Sequence, residues 1–305
     1  MELGEIKAID SMCRPFYCLP PEKTKELFHF YEFQVMAVST FGGVLKRIGA
    51  GPGEEWKVLA AMGKGSVQEM LKEMDAIGVE YVFMDQMIGW SRREHRLWGN
   101  YTIETLAEIS RETKGRVVGG AGYNPFRIKE SLEAVERAVK DYGFKYVWAH
   151  PITFGLRPND KQMYPLYAKC IELGIPCCYQ SGQSAEPLPS EPGRPMYADE
   201  VALDFPELTL VLTHTGWPWV EEWMSMVWKH PNVYGNIGAY YPSSLDPAQV
   251  RFMDSVRGQD KVLWASNGFG LTRCKKEFLE LPIKDETKRK VLRENALKVF
   301  KLKAN

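Results

Sequence analysis

LVLTHTGWPW, residues 210–219, joins a strand to the start of a helix. Leu210 to Thr213 are apolar or β-branched, the composition of a buried strand. His214 stands at its carboxyl end, and Thr215, Gly216 and Pro218 stop the strand there. Val220–His230 then places apolar Val220, Met224 and Val227 at helical spacing. A histidine where a strand turns into a βα loop stands where α/β barrels carry their chemistry. A core histidine satisfied by its neighbours is the competing reading. The TxG turn and the strand-to-helix switch put the two on an equal footing.

The alternation of strand and helix extends outward on both sides. Upstream, Pro176–Gln180 reads as a strand after a helix over Gln162–Leu173, and Lys145–Ala149 as a strand ending at His150-Pro151. Ile128–Asp141 is a helix with apolar Leu132, Val135, Ala138 and Val139, preceded by a strand over Val117–Tyr123 and a helix over Thr102–Thr113. Glu80–Met84 is a strand, and Ser66–Ile77 a helix whose Ser66 and Glu69 form a capping box. The first strand, Ile6–Met12, leads into Cys13-Arg14-Pro15. Residues 20–64 read as an insertion after it, with a helix over Thr24–Val38 and a glycine-rich Gly42–Gly53 that has no P-loop pattern.

Downstream, a strand over Asn232–Ile237, a helix over Pro247–Val256 and a strand over Lys261–Ala265 lead to Ser266-Asn267-Gly268. A helix from Glu286 to Phe300, capped by Asp285, closes the chain. About eight strands alternating with helices make one closed (β/α)8 TIM barrel over residues 1–305. A doubly wound dinucleotide-binding sheet needs a glycine-rich turn after its first strand, and MCRP is not one.

Composition narrows the class. The 305 residues are 45% apolar, enough for a large core, and 39 basic residues balance 39 acidic ones. That balance points to neither nucleic acid nor an anionic membrane, and it is compatible with self-association or a partner subunit. The six cysteines are scattered without a CxxC pair, as expected of reduced thiols in a cytoplasmic protein. Met1–Asp10 has no apolar core of a signal peptide, and no apolar run reaches the ~18 residues of a membrane span.

Four stretches carry a resemblance: DFPELTLVLTHTGWPWVEE, KHPNVYGNIG, GQDKVLWASNGFG and the final KRKVLRENALKVFKL. Together with the GQSAEPLPSEPGRP loop, they make the chain similar to the amidohydrolase-related branch of the amidohydrolase superfamily. These are TIM-barrel metal-dependent hydrolases and decarboxylases. The resemblance spans Ile6 to Leu302 and is strongest after Gly143. It implies a metal held by a His-x-His pair on the first strand, a fifth-strand His, a sixth-strand His and an eighth-strand Asp. The matching positions here are Met12 and Arg14, Gln180, His214 and Asn267.

Those departures change the chemistry. Met12 is a weak donor, Arg14 is a permanent cation, and Asn267 cannot act as a general base. The expectation is therefore a dismantled metal site, with Arg14 filling it as an internal ion pair. The candidate site residues are His214, His150, Arg14, Asn267 and Gln180, with no cofactor or metal bound by this chain. Cys13 lies beside Arg14, but strand alternation turns it away, and Ser91–Trp98 reads as a solvated loop. Asp85, Asn124 and Asn236 are the other polar strand ends; His29, His95 and His230 are expected to be structural or exposed.

Two functions follow. One is an assisting subunit beside a related, metal-bearing barrel or a second copy of itself; some relatives in this branch are non-haem iron oxygenases built from two barrels. The other is a metal-independent hydrolase or decarboxylase of a small carboxylate, with His214 or His150 as acid/base and Arg14 holding the substrate. The tryptophans of WPWVEEWMSMVW (217, 219, 223 and 228) exceed what one helix face buries, which favours an interface.

Overall fold

The alternation becomes eight parallel strands rolled into a barrel: β1 (Ala8–Asp10), β2 (Val79–Asp85), β3 (Val117–Ala121), β4 (Tyr146–Ala149), β5 (Cys177–Gln180), β6 (Leu210–Thr213), β7 (Val233–Asn236) and β8 (Val262–Leu263). Each strand pairs with the next in sequence. The computed structural model describes residues 3–98 and 101–304, so Met1 and Glu2 of the N-terminal stretch lie outside the described residues. Closure comes from backbone bonds where β1 ends beside β8: Ser11 N–H to Trp264 O (3.1 Å) and Asn267 N–H to Met12 O (2.7 Å).

Strand pleating sorts the side chains. On β4, Tyr146 and Trp148 point into the barrel while Val147 and Ala149 point to the helices. Ile9, Phe83, Val118, Cys178, Val211 and Leu263 complete the interior, and Phe300 of the C-terminal segment plugs the bottom with its ring 4.4 Å from Phe83. The barrel is a packed core whose open end is the carboxyl end of the strands.

The helices lie close to their expected positions. Ser66 Oγ accepts from Glu69 N–H at 3.2 Å to open the helix Val67–Ile77, which ends on left-handed Gly78. Three readings need correction. The helix expected over Thr24–Val38 is broken at Phe30, whose extended ψ of 135° separates Pro21–Lys25 and a short 3-10 turn from Tyr31–Ser39. The closing helix starts at Asp285 with Lys284 as its cap, and a π turn over Lys290–Glu294 interrupts it. Ser91–Trp98 is a two-stranded hairpin rather than a loop, pairing Gly89–Ser91 with Arg96–Trp98.

The hairpin is pinned to the insertion by a buried carboxylate. Glu32, 2% exposed, accepts from Ser91 Oγ at 3.0 Å and from Arg92 N–H at 2.9 Å. Trp98 then inserts among Phe33, Leu59 and their neighbours to form a second apolar cluster, the cap. Glu32→Ala leaves both donors without their acceptor. It is expected to destabilise the protein by about 1–3 kcal/mol, read as a lower urea midpoint at unchanged slope.

Candidate active site

One cavity of about 530 Å³ lies between the cap and the barrel mouth, and Arg14, His150, Gln180, His214 and Asn267 all line it. The structure thus brings every candidate site residue to one place. Four of its wall residues, Met87, His214, Ala239 and Asn267, have positive φ of 50–70° although none is glycine. Such strained conformations persist where surrounding structure enforces them, and they cluster at functional sites.

Arg14 is fixed from every side. Its Nη1 lies 3.0 Å from both carboxylate oxygens of Asp85, its Nε donates to Asn267 Oδ1 at 2.7 Å, and its Nη2 reaches Met12 Sδ at 3.4 Å. Its guanidinium lies 4.2 Å from the centre of the Trp148 ring. Burial pushes the Asp85 carboxyl above its usual range, and the Arg14 cation and Met87 N–H oppose that shift. The thioether is a weak acceptor, so Nη2 is the edge of Arg14 left to serve a ligand.

The hydrogen-bond partners assign a tautomer to each histidine. Thr213 Oγ1 lies 3.0 Å from Tyr179 O, which can only accept, and 2.9 Å from His214 Nδ1; with its proton on the Tyr179 carbonyl it accepts from Nδ1–H. His214 therefore carries its hydrogen on Nδ1 and presents a bare Nε2. The opposite holds for His150. Ser184 Oγ donates to Glu186, so His150 Nε2 is the donor across 3.4 Å to Ser184 Oγ, and the buried Nδ1 has no partner. Burial, then the Arg14 cation, then His150 hold His214 well below the imidazole value of 6.5. Burial and Arg14 push His150 down to about 3. Both rings are neutral at physiological pH.

The other candidates stand apart. Asn236 donates to Ser11 Oγ at 2.8 Å on the β1 side, and Asn124 caps its own loop through Phe126 N–H. Cys13 is fully buried, and burial together with the charge of Asp10 pushes its thiol up, so it is no nucleophile. His29 and His95 are exposed, whereas His230 is buried against Asp199 at 2.6 Å. Of the tryptophans, Trp223 is fully buried, Trp217 is 45% exposed at the cavity rim, and Trp228 is 54% exposed beside Arg257. Sequence reasoning missed the roles of Asp85, Thr213 and Ser184 as partners of Arg14, His214 and His150. Thr213, adjacent to His214, was the one within reach of a local reading. Among the described residues no group of three or more His, Cys, Asp or Glu is placed to hold a metal ion, and no helix is long and apolar enough to cross a membrane.

The barrel, with its candidate site at the carboxyl ends of the strands, defines a TIM-barrel protein. The chain belongs to the amidohydrolase family, whose model matches residues 39–302. Its fold is similar to an uncharacterised TIM-barrel protein from Bordetella bronchiseptica (24% identity, 96% of this chain and 98% of that chain, TM-score 0.71). It is also similar to 5-carboxyvanillate decarboxylase from Novosphingobium aromaticivorans, complexed with manganese and a nitrobenzoic acid (16% identity, 98% and 97%, TM-score 0.66). A third likeness is to 2,6-dihydroxybenzoate decarboxylase from Rhizobium (17% identity, 97% and 98%, TM-score 0.65). No curated protein matches the chain.

Proposed function

We propose that the protein is a metal-independent hydrolase of a small carboxylic acid derivative, an ester, amide or lactone, with His214 as general base. The observation that carries this is the contact of Thr213 Oγ1 with His214 Nδ1 at the cavity wall, which assigns the ring proton to Nδ1 and leaves Nε2 bare. In this reading Nε2 takes a proton from water as its oxygen attacks the acyl carbon. The bond to the leaving group then breaks, and the imidazolium returns the proton to it. Arg14 Nη2 faces the oxygen on which negative charge develops, and Gln180 lies on the same wall.

Two features favour hydrolysis over decarboxylation. Asp85 already matches the charge of Arg14, and both histidines are neutral, so the site is built for a carbonyl that gains charge only in the transition state. Decarboxylation needs an acid already protonated in the resting enzyme, whereas hydrolysis starts from the neutral imidazole that burial favours at His214. The donor set supports metal independence. Where the family resemblance implies ligands stand a thioether, a hydrogen-bonded guanidinium, two amides and one neutral histidine. The Asn267 oxygen is already taken by Arg14.

The test is hydrolysis of p-nitrophenyl esters by protein dialysed against a chelator. Turnover unchanged by chelation supports the reading; turnover that appears only with added manganese, zinc or iron sinks it. A second reading, an assisting subunit beside a metal-bearing barrel or a second copy, rests on exposed Trp217 at the cavity rim. It predicts activity only in the co-expressed complex, surviving His214→Ala in this chain.

A further inference from the structure

The cavity is much larger than its chemistry needs. An apolar cavity of about 150 Å³ holds one benzene ring. At about 530 Å³, this one has room for roughly three. Its polar groups gather on the barrel and its loops, and Thr40 is the one polar lining residue of the cap segment 33–62. Arg14, His150, Gln180, His214 and Asn267 sit on the barrel side, while the cap contributes Phe33, Met36, Phe41, Val44, Leu59 and Met62.

The cap wall is also incompletely packed against protein. The helix Gly42–Arg47 buries none of its residues, and Phe41, Val44 and Met62 are only half-buried. Phe41 closes on Phe269, 5.5 Å away, from the loop after β8. An apolar wall left partly wet gains free energy when apolar matter displaces that water. Met36, Met62 and Met87 add unbranched side chains that adapt to the shape of an occupant.

We infer that the substrate is amphipathic: a hydrolysable acyl head at Arg14 and His214, and an extended apolar body lying against the cap. The identity of the head rests on the hydrolase reading above; the apolar body rests on the cap alone. A linear acyl chain and a fused-ring skeleton share this chemistry, and the experiment separates them.

The test measures binding of carboxylates, the products such hydrolysis would release. Benzoate and a series from hexanoate to dodecanoate are titrated by quenching of tryptophan fluorescence, since Trp98, Trp148 and Trp217 line the cavity. Affinity is expected to rise by up to about fourfold per methylene, the equivalent of ~0.8 kcal/mol for each buried CH2. The slope is expected to persist in His214→Ala, where hydrolysis has no base. Anthracene-9-carboxylate supplies the fused-ring arm, and whichever of it and dodecanoate binds tighter assigns the body.

Val44→Asp and, separately, Met62→Asp put a charge on the apolar wall at half-buried positions. Each is expected to flatten the chain-length slope while circular dichroism shows the fold retained. Benzoate binding as tightly as dodecanoate and anthracene-9-carboxylate overturns the inference, as does a slope unchanged in both folded variants. If His214→Ala hydrolyses esters like the wild type while the slope stands, the hydrolase reading fails and the amphipathic ligand remains.

Discussion

Replacing His214 by Ala is expected to lower kcat/KM for ester hydrolysis by about 100- to 10,000-fold, the usual contribution of a general base, with the fold retained. The size of the effect follows from the absence of a substitute. His150 is bound through Nε2 to Ser184, and its Nδ1 is buried away from the cavity solvent. The pH profile carries the sharper test. A base whose pKa is lowered is deprotonated, and so competent, at every pH above that lowered value. His214 lies well below 6.5, so activity is expected to stay level as pH falls through 6.5 and to drop only in more acid solution. A solvent-exposed histidine would lose half its activity at its unperturbed pKa of about 6.5. Thr213→Val removes the acceptor that fixes Nδ1–H, so it is expected to lower kcat with little change in KM. A His214→Ala enzyme with wild-type kcat/KM, or an acid limb centred at 6.5, ends the assignment.

The barrel was legible because local signals agreed. LVLT followed by HTG marks a strand end under any neighbours, and Ser66 with Glu69 marks a helix start without help from the core. Strand ends at fixed points in the alternation also placed Arg14, His150, Gln180, His214 and Asn267 at one mouth. What escaped was set by contacts distant in sequence. Asp85 meets Arg14 across 71 residues, and no pattern in either segment names the other. The hairpin around Ser91–Trp98 has the charged middle of a solvated loop. Its ends are buried only because Glu32 and the cap cluster receive them. The helix Leu271–Leu279 is a different case: Leu271, Cys274, Lys275 and Phe278 are buried at helical spacing, yet the lysine in that stripe hides the pattern. Lys275 is tolerated there because its ammonium donates to the carbonyls of Ile6 and Ile77. Burial draws it down to a pKa of about 8. Of the tryptophans after His214, Trp223 enters the core, while Trp217 is turned to the cavity rim and Trp228 is exposed.

Asp85→Asn is expected to destabilise the protein by about 3–5 kcal/mol, because it leaves the Arg14 cation buried without its counter-charge. Arg14 is 4% exposed and Asp85 is fully buried, so water screens the pair little. The asparagine retains one carbonyl oxygen for Arg14 Nη1 and turns an NH2 group toward the rest of a fork built only of donors. The double variant Arg14→Met with Asp85→Leu removes both charges together. It is expected to be far closer to wild type in stability, since an apolar pair of similar volume often replaces a buried ion pair without loss. The same double variant is expected to lose ester hydrolysis, because it deletes the donor that faces the developing oxyanion. Urea denaturation reads the first effect and the ester assay the second, so stability and function separate at one pair of positions. The histidines supply a third readout. The Arg14 charge helps to hold both His150 and His214 in their neutral forms. Its removal is expected to raise the pKa of both imidazoles, measured by NMR titration of their ring protons. Stability of Asp85→Asn within 1 kcal/mol of wild type, or imidazoles unmoved in the double variant, would mean that Arg14 is not the buried cation on which the electrostatics of the site turn.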